Sequence, residues 1–152
     1  PVVQELAREL GVKKTPFPKG NDRCIMCGLC VRTCQEVVGA AALCFVEKGS
    51  RREVSVPFYR DSQECIGCGS CVFVCPTGAV SMHDESRDTQ TVVRSMDTWK
   101  TELPLQRCKT HGDLFAPRRM LEHFAGRYPV AEGFLEQCPS CRQTGKKPTR
   151  GT

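Results

Sequence analysis

No stretch of this sequence approaches the roughly 20 apolar residues that a helix needs to cross a bilayer. Its apolar runs are a handful of residues long, hydrophobic residues make up 39% of the chain and the mean hydropathy is -0.34. The expectation is a soluble, globular protein without a membrane partner. The N-terminal segment PVVQELARELGVKK also lacks the basic start, apolar core and small-residue cleavage site of a secretory signal. A cytoplasmic location is therefore expected, where thiols stay reduced. A Ser-His-Asp constellation, a phosphate loop and a dinucleotide glycine fingerprint are absent too, since the Gly-x-Gly-like stretches lie inside cysteine runs. The 152 residues leave room for one small domain and a second module, not for a large substrate-binding fold. These absences argue against catalysis by this chain alone.

Cysteine, by contrast, is plentiful. The chain has 12, about 8% of its residues, a density that in a short secreted protein would suggest a disulfide scaffold. Without a secretory signal, and with cysteines in tight C-x2-C spacing, the reading turns to metal.

The chain divides into four parts. Residues 1–16 form an arm, with Val3, Leu6, Ala7 and Leu10 at helical spacing and Gly11, Pro16 and Pro18 as stops. Residues 17–104 contain an internal repeat centred on two cysteine runs. Between the copies, ALCFVEKGSRREVSV reads as a β-hairpin turning at Lys48-Gly49-Ser50, and after them the polar HDESRD precedes a strand around TVVRS. Residues 105–145 carry a separate Cys/His set flanking a helix in PRRMLEHFAG, with Pro117 at its start, Met120, Leu121 and Phe124 on one face and Gly126 as its expected stop. Residues 146–152 are a basic tail, read as a solvated end.

The first run is Cys24-Ile-Met-Cys27-Gly-Leu-Cys30-Val-Arg-Thr-Cys34 and the second is Cys65-Ile-Gly-Cys68-Gly-Ser-Cys71-Val-Phe-Val-Cys75-Pro76. Both are C-x2-C-x2-C-x3-C, the spacing that places three thiolates round one [4Fe-4S] cubane and sends the fourth to the other. Crossed ligation is expected: Cys24, Cys27, Cys30 and Cys75 for one cluster, Cys65, Cys68, Cys71 and Cys34 for the second. Gly28, Gly67 and Gly69 let the backbone approach the sulfides. A pair of zinc knuckles would leave the third cysteine of each run idle. The formal charge of +5 fits the same reading, because each cluster with its four thiolates adds about −2 and two bring the total to about +1. With so little charge left, and few aromatics among the basic tail residues, a metal-stapled nucleic-acid-binding protein is the weaker alternative.

The phrases DRCIMCGLCVRTCQEVVG and CIGCGSCVFVCPTGAV, within a span from Cys24 to Val80, resemble the two-cluster bacterial-ferredoxin domain of respiratory NADH-dehydrogenase large chains and iron-only hydrogenases. Small ferredoxins have Pro where this chain has Gln35, and the larger complexes have Gln-Glu, which points to a complex-bound subunit. With its tail module the chain is similar to the small polyferredoxin-like subunit of bacterial tungsten-dependent aldehyde oxidoreductases and benzoyl-CoA reductases. The resemblance implies an α+β fold, a ferredoxin-like domain with a β-hairpin insertion and a small C-terminal metal module. It also implies single-electron relay between a catalytic oxidoreductase subunit and an NAD- or flavin-binding subunit. Relay within a hydrogenase or NADH-dehydrogenase-type complex is the alternative.

A third metal centre is expected from Cys108, His111, Cys138 and Cys141, whose two pairs have knuckle spacing with 26 residues between them. Three thiolates and an imidazole are ordinary zinc ligands, whereas the resemblance implies a third [4Fe-4S] cluster, its potential raised by the imidazole. The reading commits to the cluster, with zinc as the alternative. Cys44 is expected to be a small buried hydrophobe, and His83, His123 and Trp99 to have surface or packing roles. The apolar stripe of the arm suggests docking on another subunit or a second copy of the chain, because a helix of about ten residues is marginal alone.

Overall fold

The computed structural model describes residues 2–13, 23–60, 62–88, 91–131 and 133–144. The Pro16–Pro18 linker and the basic tail lie outside the described residues, as does the side chain of Val3. The arm forms helix α1 (Val2–Glu9), followed by Gly11 in the left-handed region at φ 70°. Its Leu6 and Leu10 are exposed.

The two cysteine runs fold alike. Helix α2 (Leu29–Arg32) starts after Gly28, and α3 (Ser70–Phe73) starts after Gly69, both glycines being left-handed at φ 73° and 75°. A side chain at either position would strain the backbone and also collide, with Phe45 at 2.9 Å or with Met82 at 2.7 Å. After α2 the chain widens into a π-helical turn (Thr33–Val38), a form found mostly as single turns near functional sites. That turn places Cys34 so that its carbonyl accepts from the N–H groups of both Ala40 and Ala41.

Strands β1 (Cys44–Val46) and β2 (Glu53–Ser55) form the antiparallel hairpin between the copies, with Phe45 opposite Val54. Cys44 is half-buried on β1 rather than enclosed. The second half of the chain builds a four-stranded antiparallel sheet in the order β3 (His83–Ser86), β4 (Val92–Met96), β5 (Thr101–Arg107) and β6 (Leu114–Pro117). The polar HDES segment is thus a strand, exposed along its length at the sheet edge, where charged residues are at home. Residues 104 and 105 fall inside β5.

Helix α4 (Arg118–Arg127) follows Pro117 directly. Gly126 does not stop it; the turn to extended backbone comes at Tyr128, φ -126°. Helix α5 (Pro139–Thr144) is the last element among the described residues. The main core gathers Val31, Leu43, Val56, Val80, Met96, Trp99 and Leu103 with Cys30, Cys65 and Cys71. A second core joins Val38, Ala40 and Ile66 to Met120 and Phe124 of α4, so the C-terminal helix packs on the cysteine-run domain. Among the described residues, no helix is long and apolar enough to cross a membrane.

Candidate metal centres

The eight cysteines of the two runs line two cavities, and each cavity draws on both runs. Cys24, Cys27, Cys30 and Cys75 line the first, about 710 Å³, under the β1–β2 hairpin. Cys34, Cys65, Cys68 and Cys71 line the second, a tighter space of about 20 Å³ walled by Leu43, Ile66 and Met96. Trp99 is part of both linings.

The fourth cysteine of each run is held by backbone donors. Ala42 N–H donates to Cys34 Sγ and Ala79 N–H to Cys75 Sγ, each at 3.3 Å. The thiols titrate differently. Burial pushes Cys30, Cys34 and Cys65 up, and Cys71 up to about 12, the last against an opposing, lowering influence of the Trp99 side chain. Burial also acts to raise Cys75, but the N–H groups of Thr77, Ala79 and Val80 and the Thr77 hydroxyl outweigh it and bring this thiol to about 7. A buried thiol loses its proton readily when a metal cation takes the proton's place on the sulfur, so the set is suited to binding metal.

Two features of the chain fit a cubane at each cavity: four cysteines lining it, and a backbone N–H donor already aimed at one of its sulfurs. At Gly67, φ 66°, a Cβ would lie 2.5 Å from Leu103 Cδ1. The indole N–H of Trp99 adds a third, being buried with no hydrogen-bond partner.

Helix α4 reaches the second cavity. Arg119 Nη1 donates to the Cys65 carbonyl at 3.0 Å, Arg127 Nη1 to the Val38 carbonyl at 2.8 Å, and His123 Nε2 lies 3.1 Å from that same oxygen. These three residues stand at i, i+4 and i+8, a polar stripe beside the apolar face of the same helix. In the sequence the apolar face is marked by Met120, Leu121 and Phe124, and the spacing of Arg119, His123 and Arg127 is the signal for this polar stripe. Arg94 of β4 adds a contact from the other side, bonding both oxygens of Asp84 at 2.8 and 2.9 Å and reaching the Gly67 carbonyl at 3.4 Å. The Arg94 hydrogen bonds hold Asp84 below the usual carboxylate range. His83 pairs with Asp97 at 2.9 Å, away from either cysteine set.

Cys108, His111, Cys138 and Cys141 also converge, with one ligand atom from each lying within 4.8 Å of all the others. Cys108 Sγ is 3.9 Å from Cys141 Sγ, and His111 Nε2 is 3.1 Å from Cys138 Sγ. Asp113 holds the far side of the imidazole, its carboxylate 3.2 Å from Nδ1. That support leaves Nε2 to face the sulfurs, the usual arrangement of a ligating histidine. Burial acts to raise Cys108, but the N–H groups of Cys138, Thr110 and His111 outweigh it and bring it down to about 6. The Cys141 N–H lowers Cys138, while burial raises Cys141. Ligands about 2.3 Å from one tetrahedral ion stand a little under 4 Å from each other. A cubane puts a separate iron behind each ligand and spreads them wider.

Residues 23–79 match the 4Fe-4S dicluster domain, and residues 64–111 match it again, together more than half of the chain. The chain belongs to that family. It is a ferredoxin-type iron–sulfur protein, with the electron-transfer role such clusters serve. The second match runs from the second cysteine run across β4 and β5 to His111. No curated protein matches the sequence.

Proposed function

We propose that this dicluster protein is the relay subunit of a larger cytoplasmic oxidoreductase. It passes single electrons between a catalytic subunit of the tungsten-dependent aldehyde oxidoreductase type and an NAD- or flavin-binding subunit. The observation that carries the relay is the pair of neighbouring four-cysteine cavities with Trp99 in both linings. In this reading Cys24, Cys27, Cys30 and Cys75 ligate one [4Fe-4S] cluster, and Cys34, Cys65, Cys68 and Cys71 the other. Each cluster, when bound, supplies one-electron chemistry.

The protein's part is to hold and tune. Backbone N–H groups of Ala42 and Ala79 offset the charge on Cys34 and Cys75, and α4 lays Arg119, His123 and Arg127 over the carbonyls beside the second site. The partner assignment rests on the resemblance of the cysteine runs and on Gln35.

For the C-terminal module we favour zinc, the alternative in the sequence reading, over a third cubane. The sulfur and nitrogen separations of 3.9 and 3.1 Å suit ligands round a single ion. This ion clamps β5 to α5 and thereby steadies α4 on the second cysteine site. The test is purification of the native complex with metal analysis for iron, zinc and tungsten. The reading expects about eight irons and one zinc in this subunit, with tungsten in its catalytic partner. About twelve irons and no zinc would restore the third cluster, and a native complex without tungsten would remove the partner assignment.

A further inference from the structure

Resting on the relay reading above, we infer that Trp99 tunes one half of the relay. Its indole N–H donates to the Cys71 sulfur when that sulfur ligates iron, and this raises the potential of the second site relative to the first.

Trp99 is 4% exposed and packs in the core with Cys30, Cys65 and Cys71. It lines both cysteine cavities, so it stands where a single side chain can treat the two sites differently. Its backbone is pinned in the turn between β4 and β5. Trp99 N–H donates to the Met96 carbonyl at 3.0 Å, and the Thr101 hydroxyl donates to the Trp99 carbonyl at 3.3 Å, with Thr101 fully buried. The backbone is therefore held in place, and the Nε1–H is buried with no hydrogen-bond partner; Cys71, in the same core and the second cavity's lining, is the thiol on which the Trp99 side chain acts. A core rarely leaves such a donor unmet unless something absent from the bare chain accepts from it. A neutral thiol is a weak acceptor, whereas a ligating thiolate carries charge and makes a shorter, stronger bond. Hydrogen bonds to cluster sulfurs stabilise the reduced, more negative state, which moves the potential upward.

The chain holds one tryptophan, so its N–H can be altered by biosynthetic replacement without touching any other residue. The full, iron-loaded chain is titrated under spectroscopic monitoring in four forms: wild type, Trp99→Phe, 5-fluorotryptophan at 99, and benzothienylalanine at 99. Fluorine makes the N–H a stronger donor at nearly unchanged shape; benzothienylalanine keeps the shape and removes the N–H. Trp99→Phe and benzothienylalanine should each lower one of two midpoint potentials. At fixed poise the ratio of reduced to oxidised cluster should fall roughly tenfold, about 59 mV for one electron. The fluorinated form should shift the same wave upward, and the other wave should stay in place. The inference is overturned if benzothienylalanine leaves both waves unmoved, or if the two waves move together, as loosened packing alone would make them. A wild-type chain that loads no redox-active iron would instead sink the relay reading, and this inference with it.

Discussion

The Gln35 side-chain amide donates to the Leu43 carbonyl at 3.1 Å. That bond ties the π-helical turn carrying Cys34 to the segment leading into the hairpin, and it gives a physical reason for Gln where small ferredoxins have Pro. Proline has no amide to offer, and Leu43 is 2% exposed, so its carbonyl has little access to water. Gln35→Ala should cost about 1 kcal/mol, the usual worth of a side-chain hydrogen bond. Denaturant unfolding of the loaded protein measures it, and an unchanged midpoint would show the bond to be idle.

Cys75→Ala should damage the site lined by Cys24, Cys27 and Cys30 while leaving the site of Cys65, Cys68 and Cys71 close to normal. Electron paramagnetic resonance with iron counting reads both. Selective loss of the second site would reverse the crossing.

Stripping the zinc proposed for the C-terminal module with a chelator should loosen α4 and speed iron loss from the second site more than from the first. The contacts at stake are Arg119 to the Cys65 carbonyl and Arg127 to the Val38 carbonyl. Arg127→Ala should reproduce part of the effect with the metal still bound, at a cost of about 1 kcal/mol. Equal rates of loss from both sites after chelation would uncouple the module from the relay.

Leu6 of α1 is 49% exposed and Leu10, just past its end, 73%, an apolar stripe without cover among the described residues. Deleting residues 1–14 should reduce the size of the assembly, measured by light scattering, and leave the iron content intact. An assembly of unchanged mass would remove the docking role of the arm.

The cysteine runs were legible because cluster ligation is written in local spacing: each run brings three sulfurs together within a few residues, whatever the rest of the fold does. The hairpin of Phe45 and Val54 and the strand around Val93 were legible for a similar reason, as β-branched and aromatic residues between turn residues mark strands. Less visible was β3, whose His83, Asp84, Glu85 and Ser86 are all exposed and show no buried face for a pattern to reveal. Gly126 misled because helix interiors tolerate glycine at a modest cost, and α4 runs on to Arg127. The contact of α4 with the second cysteine site joins Arg127 to Val38 across 89 positions. No local periodicity encodes such a partner, although the i, i+4, i+8 stripe marked the helix face that would make it.

The exchange of fourth cysteines between the two cavities also bears on how the protein is made. With the crossed ligation proposed above, as the chain emerges from the ribosome the first run alone offers no complete tetrad, because its first three sulfurs wait for Cys75 and its own Cys34 waits for the second run. The second cavity gains its last sulfur with Cys71 and the first with Cys75. Both tetrads therefore become complete within one helical turn of synthesis, and a chain cut short before that turn has a full site in neither half.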